Sequence, residues 1–397
     1  MTVLDGLPRT RTCPFDPPAE LASLRESTPV TRMKFPDGHE GWLITGYAEA
    51  RAVLADPRFS SRAELSRPPV PMNMGGNAIE PARPGMFTGM DDPGHARYRK
   101  LLTGAFTVRR MQQLKARVAE ITDLYLDEIE RGGPTADLVP AFASPIPSMV
   151  ICEMLGVPMS ERENFQSRSA ELFDLALSLQ DRMAALTELA AFLAKLTKEK
   201  HADAGDDLLG DLLATGELTD EELGNIAVVL LVAGHETTRN MLALGAYTLL
   251  RNPDQLAVLR DDREAAGNAI EELMRYLSVI HIGPVRTALA DVEVGGRLIR
   301  EGESVNISVP AANRDPLRFP DPDILDLRRK ATGHLGFGHG VHQCLGQQLA
   351  RVEMRTALPA LFRRFPDLRL AVPDDEVITN DDAPIYGVGR LPVTWTR

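Results

Sequence analysis

From Asp220 to Arg251 the chain carries one run with helical spacing, opened by Thr219 and Glu222 and closed by Asn252-Pro253. A threonine followed three residues later by a glutamate makes a capping box, and a proline cannot continue a helix. At 1.5 Å per residue the helix spans about 48 Å, enough to cross the whole molecule. Ile226 to Gly234 is apolar on every side, the mark of a helix buried all round. The apolar run is too short, and too soon interrupted, to span a membrane.

Inside it sits Ala233-Gly234-His235-Glu236-Thr237-Thr238, polar where the periodicity asks for burial. Thr237 can bond back to the carbonyl of Ala233 and open the helix beside Gly234, whose missing side chain leaves room for a small ligand. Thr237 then offers a hydroxyl that holds a water, and Glu236 can pass protons inward.

A second concentration of chemistry lies at Phe337-Gly338-His339-Gly340-Val341-His342-Gln343-Cys344-Leu345-Gly346. Gly340 and Gly346 permit a tight turn with backbone N–H groups aimed at the Cys344 sulfur, and the helical spacing of Leu345, Leu349 and Val352 turns the positive end of a helix dipole to it. Such bonds hold a sulfur anionic and ready for a metal.

Composition bounds the class. With 397 residues, 44% of them hydrophobic, the chain can bury a large core, and no linker, repeat or low-complexity run divides it, so residues 1–397 read as one domain. Three scattered cysteines, Cys13, Cys152 and Cys344, argue against a disulfide framework and for a reducing cytoplasm. Residues 1–12 hold no long apolar stretch, so neither signal peptide nor membrane anchor is expected. A net charge of -12 disfavours nucleic acid and anionic membrane. One stretch runs against that balance: Pro93 to Ala119 has no acid but contains Arg97, Arg99, Lys100, Arg109, Arg110, Lys115 and Arg117, a positive face suited to an acidic partner.

Hairpins are expected around Pro36-Asp37-Gly38 and around Gly295-Gly296, with short strands between Pro384 and Trp395; most of the remainder is helical. Arg67 to Met86, crowded with proline and glycine, reads as a long mobile loop of the kind used as a lid, where Met72, Met74, Met86 and Phe87 offer adaptable apolar contacts.

The cysteine loop resembles the heme-binding signature of the cytochromes P-450 at every fixed position, and Glu236-Thr237 resembles the family's oxygen-activating acid and alcohol. The similarity runs from Cys13-Pro14-Phe15 to Leu391-Pro392-Val393. It implies a mainly helical fold with a small β region, a bundle around a buried heme b, and Cys344 as axial ligand. It further implies that His95, Arg99, Arg286 and His342 bind the heme propionates, and that Glu272 and Arg275 join Arg329, or its rival Arg328, in a structural network. Two departures stand out: Asp91-Asp92-Pro93-Gly94 replaces the family's usual Asp-Pro-Pro-Glu, and Pro359 should kink the helix after Cys344.

The implied activity is hydroxylation or epoxidation of a bulky hydrophobic molecule with O2, such as a polyketide, terpenoid or steroid. The pocket would be lined by the 72–87 loop, Val229, Val232, Ala233, His281, Ile282, Val285, Ile385 and Tyr386. No flavin or dinucleotide fingerprint is present, so a ferredoxin with its reductase would supply electrons to a monomeric enzyme, docking near Arg109 and Arg110. The rivals are a peroxide-driven heme-thiolate enzyme, a heme sensor, and a zinc module built from His339, His342 and Cys344.

Overall fold

The computed structural model describes residues 3–71, 79–106, 108–174, 176–381 and 383–396. Met72 and Met74 lie outside the described residues, as does the side chain of Arg109. The architecture is mainly helical with small sheets, as the sequence indicates.

The central helix runs Asp220–Arg251, and its capping box is complete: Glu222 N–H donates to Thr219 Oγ1 at 3.2 Å and Thr219 N–H to Glu222 Oε2 at 2.8 Å. The Glu222 carboxyl also accepts from Arg97 and from the Tyr98 hydroxyl, tying helix Gly94–Ala105 to the start of the central helix. Leu223, Ile226, Ala227, Leu231, Leu242 and Leu244 are fully buried against helices Pro145–Leu155, Leu179–Glu199 and Gln347–Arg364. A side chain on Gly234 would place its Cβ 2.8 Å from Ile151 Cδ1. This glycine therefore lets two helices approach; it does not leave the open space that the sequence suggests.

The main sheet has five strands in the order Val30–Lys34, Glu40–Ile44, Ser304–Ile307, Val285–Ala288 and Phe59–Ser60. Its first pair is the expected hairpin, with Val30 opposite Ile44 and Lys34 opposite Glu40. The second hairpin, Val292–Val294 with Arg297–Ile299, turns on Gly295 and Gly296 at φ +54° and +70°, values that L side chains resist.

Three expectations change. The helix after the cysteine starts at Gln347, because residues 344–346 are used in the turn, and it runs to Arg364 with Pro359, the residue expected to kink it, inside. The proline-rich segment is tied down where it is described: Arg67 pairs with Asp37, Asn225 donates to the Pro84 carbonyl at 2.8 Å, and Phe87 is buried. Three arginines of the basic stretch are engaged within the molecule: Arg97 pairs with Glu222, Arg110 with Asp211, and Arg117 with Glu120 and Glu153. In an acidic protein, carboxylates from distant segments neutralise a local run of arginines.

Candidate active site

The cysteine loop is shaped by two left-handed glycines. Gly338 sits at φ +70° and Gly340 at φ +74°, and a Cβ on Gly340 would lie 2.3 Å from the Leu54 carbonyl oxygen. Gly346 has an ordinary φ of -80°, so the left-handed turn falls to Gly338 and Gly340, while the Gly346 N–H still reaches the sulfur. Within the loop Gly338 N–H bonds Leu335 O at 2.8 Å, Gln343 N–H bonds Gly340 O at 3.0 Å and Cys344 N–H bonds Phe337 O at 2.9 Å. The Cys344 thiol is pushed up by burial, against the pull of the Gly346 N–H and of Arg99 and Arg351. Yet the side chain is exposed. A sulfur set deep in the protein and still accessible faces an internal cleft, not the outer surface.

Two buried carboxylates brace this loop from below. Glu272 takes a bidentate pair from Arg275 at 2.7 and 2.8 Å and a third bond from Arg329 Nε at 3.1 Å, while Arg275 also donates to the carbonyls of Asn313 and Pro322. Arg329 is thus the third member, and Arg328 turns to Asp262 at 3.5 Å. Glu271 binds His334, Arg351 and Arg355; burial alone would raise its carboxyl, but the His334 and Arg351 bonds hold it down to about 2. The Arg351 guanidinium lies 4.4 Å from the centre of the Phe337 ring, so one side chain joins the acid to the loop. Sequence reasoning missed this cluster, although Arg351 and Arg355, four apart on one helix, were its visible trace.

The central helix forms another wall of the cleft. Val232 is 38% exposed and Ala233 is exposed beside it, although the helix is buried to either side. Thr237 Oγ1 donates to the Ala233 carbonyl at 2.8 Å, the back-bond its position predicts. His235 points elsewhere, donating Nε2–H to Ser144 O at 3.0 Å beside the ring of Phe173. Glu236 is held by Arg239 at 2.9 Å and Asn240 at 2.7 Å, and burial raises its carboxyl against those two partners.

Four cationic or donor residues meet at the same site. The rings of His95 and His342 lie 4.0 Å apart, and His95 Nδ1 donates to Asp92 at 3.3 Å. Arg286 acts on His342 from its strand, and Arg99 acts on Cys344. Among the described residues the buried Arg286 guanidinium makes one bond, to the neighbouring Val285 carbonyl at 2.8 Å, and burial lowers it to about 10. A buried cation so poorly matched calls for an anion.

Residues 178–394 match the family model described as Cytochrome P450, and over 96% of both chains the sequence is 49% identical to cytochrome P-450 105C1 of a Streptomyces species. The chain belongs to the cytochrome P-450 family. It is 44% identical to the pentalenic acid synthase of Streptomyces avermitilis, over 98% of this chain and 97% of that one. Its fold matches a Streptomyces peucetius P-450 crystallised with a biphenyl compound, with a TM-score of 0.92, 43% identity and full coverage of both chains. This P-450 is therefore a heme b-dependent monooxygenase of small molecules that uses O2.

The donor set fits that cofactor: an accessible thiol within a deep cleft, and a buried, underbonded Arg286 suited to one of heme's two carboxylates. It does not fit zinc. His339 accepts from Arg51 at 3.2 Å while His342 stacks on His95, and among the described residues no three His, Cys, Asp or Glu side chains converge as metal ligands. Two expected pocket residues are also reassigned. His281 accepts from Arg11 at 3.3 Å, and the Arg11 guanidinium covers the fully buried Tyr386 ring at 3.8 Å, so both serve an N-terminal latch. Val229, Ile282, Val285 and Ile385 are half-buried. No described helix is long and apolar enough to cross a membrane.

Proposed function

We propose that this P-450 hydroxylates or epoxidises a bulky hydrophobic secondary metabolite, with Cys344 as the thiolate that would hold the heme iron. When bound, the heme iron supplies O2 activation and oxygen transfer; overall one atom of O2 enters the substrate and the other leaves as water, consuming two electrons and two protons. Cys344 carries the reading, because its sulfur is deep, accessible and met by a backbone N–H. His95, Arg99, Arg286 and His342 hold the two propionates, the role that the unmatched charge of Arg286 supports best. Thr237 positions a water beside the Ala233 carbonyl, and Glu236 relays protons to it. Val232, Ala233, Val285 and Ile385 favour an apolar substrate, in line with the relatives' named product and ligand.

The electron donor is a ferredoxin served by its reductase, and the protein acts as a monomeric single domain in the cytoplasm. The ferredoxin docks on the 93–119 basic stretch, where Lys100 and Lys115 are exposed while Arg97, Arg110 and Arg117 are paired internally. The test is the reduced carbon monoxide spectrum: a strongly red-shifted Soret band is expected in the wild type and absent in Cys344→Ser. Folded, heme-loaded protein without that band overturns the assignment. Turnover with NADPH and ferredoxin, with little from peroxide, separates this reading from a peroxide-driven enzyme or a sensor.

A further inference from the structure

Glu236 stands in the wall of the cleft, yet its carboxyl is tethered to its own helix. Oε1 accepts from Arg239 Nη1 at 2.9 Å and Asn240 Nδ2 at 2.7 Å, three and four residues on. The Asn240 amide also donates to the Glu236 backbone carbonyl at 2.9 Å. It is locked in turn by Gly387, where an added Cβ would lie 1.8 Å from Asn240 Oδ1. Oε2, in contrast, is buried with no partner among the described residues. The two oxygens of one carboxyl are therefore not equivalent.

We propose that Arg239 is a positioning residue: by occupying Oε1 it keeps Glu236 ionised and leaves Oε2 as the single acceptor for a water that brings protons to the cleft. The inference rests on the relay role proposed for Glu236. An exposed pair three residues apart contributes little, but here the Arg239 and Glu236 side chains are only 10% and 15% exposed. Among the described residues Arg239 is the charged group that acts on the carboxyl. Burial favours the neutral acid, and Arg239 and Asn240 pull the other way, toward the carboxylate that can take a proton from water. With Arg239 in place a proton can pass from a water to Oε2 and on toward Thr237, without electron transfer or net consumption.

The test uses heme-loaded Arg239→Gln and Arg239→Lys, each read against a Glu236→Gln partner variant. Infrared titration should show, beyond the band that Glu353 contributes to every variant, an additional protonated carboxyl band at neutral pH in Arg239→Gln that is absent from wild type, from Arg239→Lys and from Glu236→Gln/Arg239→Gln. The fraction of electrons recovered as product should fall by roughly tenfold or more in Arg239→Gln and return in large part with Arg239→Lys. If Arg239→Gln fails to accumulate, Glu236→Asp breaks the same contact from the other side and should give the band and the loss together. An unchanged carboxyl titration and unchanged coupling in folded protein overturn the proposal. The carbon monoxide spectrum of the same samples separates the two readings. A missing thiolate band defeats the functional assignment, whereas a normal band with no effect of Arg239 defeats the positioning role alone.

Discussion

The imidazoles of His95 and His342 stand 4.0 Å apart, tilted by 36°, close enough for the two rings to stack. Burial first, then His95 and Arg286, lowers His342 to about 4, and burial lowers His95 as well. Two neutral donors thus accompany two cations, Arg99 and Arg286, a combination matched to a dianion. Phenylalanine at either position keeps the stack but removes the donors, and should lower heme retention several-fold. Because the residues touch, His95→Phe with His342→Phe should cost less than the product of the single effects. Arg286→Ala should cost more than either single change, about tenfold. The Soret-to-protein absorbance ratio after dialysis measures all three.

Glu353 is a buried carboxyl on the helix that follows Cys344; its Oε2 has no partner, and burial raises it to about 8. Since the folded form binds its proton more tightly than the unfolded chain, whose value is near 4.5, this group is neutral and harmless at low pH and destabilises the fold increasingly from pH 4.5 to pH 8. Glu353→Gln should stabilise the protein at pH 7, by on the order of 3 kcal/mol at most, and flatten the dependence over that window. Urea unfolding at pH 5 and pH 7 gives the comparison.

Glu272 neutralises two arginines while fully buried. Its removal strands the Arg275 charge in the interior, so Glu272→Ala should destabilise by about 3–5 kcal/mol. Arg329→Ala should cost less, because Arg275 still satisfies both carboxylate oxygens. Denaturant midpoints at constant slope rank the two.

Thr237→Ala deletes the hydroxyl bound to the Ala233 carbonyl. Folding and the carbon monoxide spectrum should persist, while product per NADPH drops about tenfold and peroxide rises in its place. Oxygen-electrode and peroxide assays on one sample quantify the split.

Gly340→Ala combines a left-handed φ of +74° with a Cβ forced to 2.3 Å from the Leu54 carbonyl oxygen. Neither atom is the end of a flexible side chain, so the loop must shift. Loss of a few kcal/mol of stability and of most bound heme is expected, read by thermal unfolding and Soret intensity.

Local signals proved legible where a short stretch determines its own conformation. The Thr219–Glu222 cap, the paired glycines at 295 and 296, and the Thr237 back-bond all follow from residues within four positions of one another. Partnerships across the chain were harder. Arg97, Arg110 and Arg117 form a basic run in sequence, yet in space each meets an acid contributed by a distant segment or the next turn. Glu271 and Glu272 are adjacent but serve opposite clusters, because neighbouring residues on a helix point about 100° apart. Likewise, Gly234 and Tyr386 have residue types that suit a pocket, and only packing against Ile151 and Arg11 shows their actual use.

The unbroken helix from Asp220 to Arg251 also acts as a protractor. Its capping box fixes the rotational zero, and every later side chain is dialled from there in steps of about 100°. A single residue inserted between Thr219 and Ala233 would swing Glu236, Thr237 and Arg239 away together, keeping their mutual bonds but aiming them at the wrong wall. Seven inserted residues, close to two full turns, would bring the bearing nearly back while displacing the trio about 10 Å along the axis. Direction and depth are thus set by one count of residues, and no insertion in that segment preserves both.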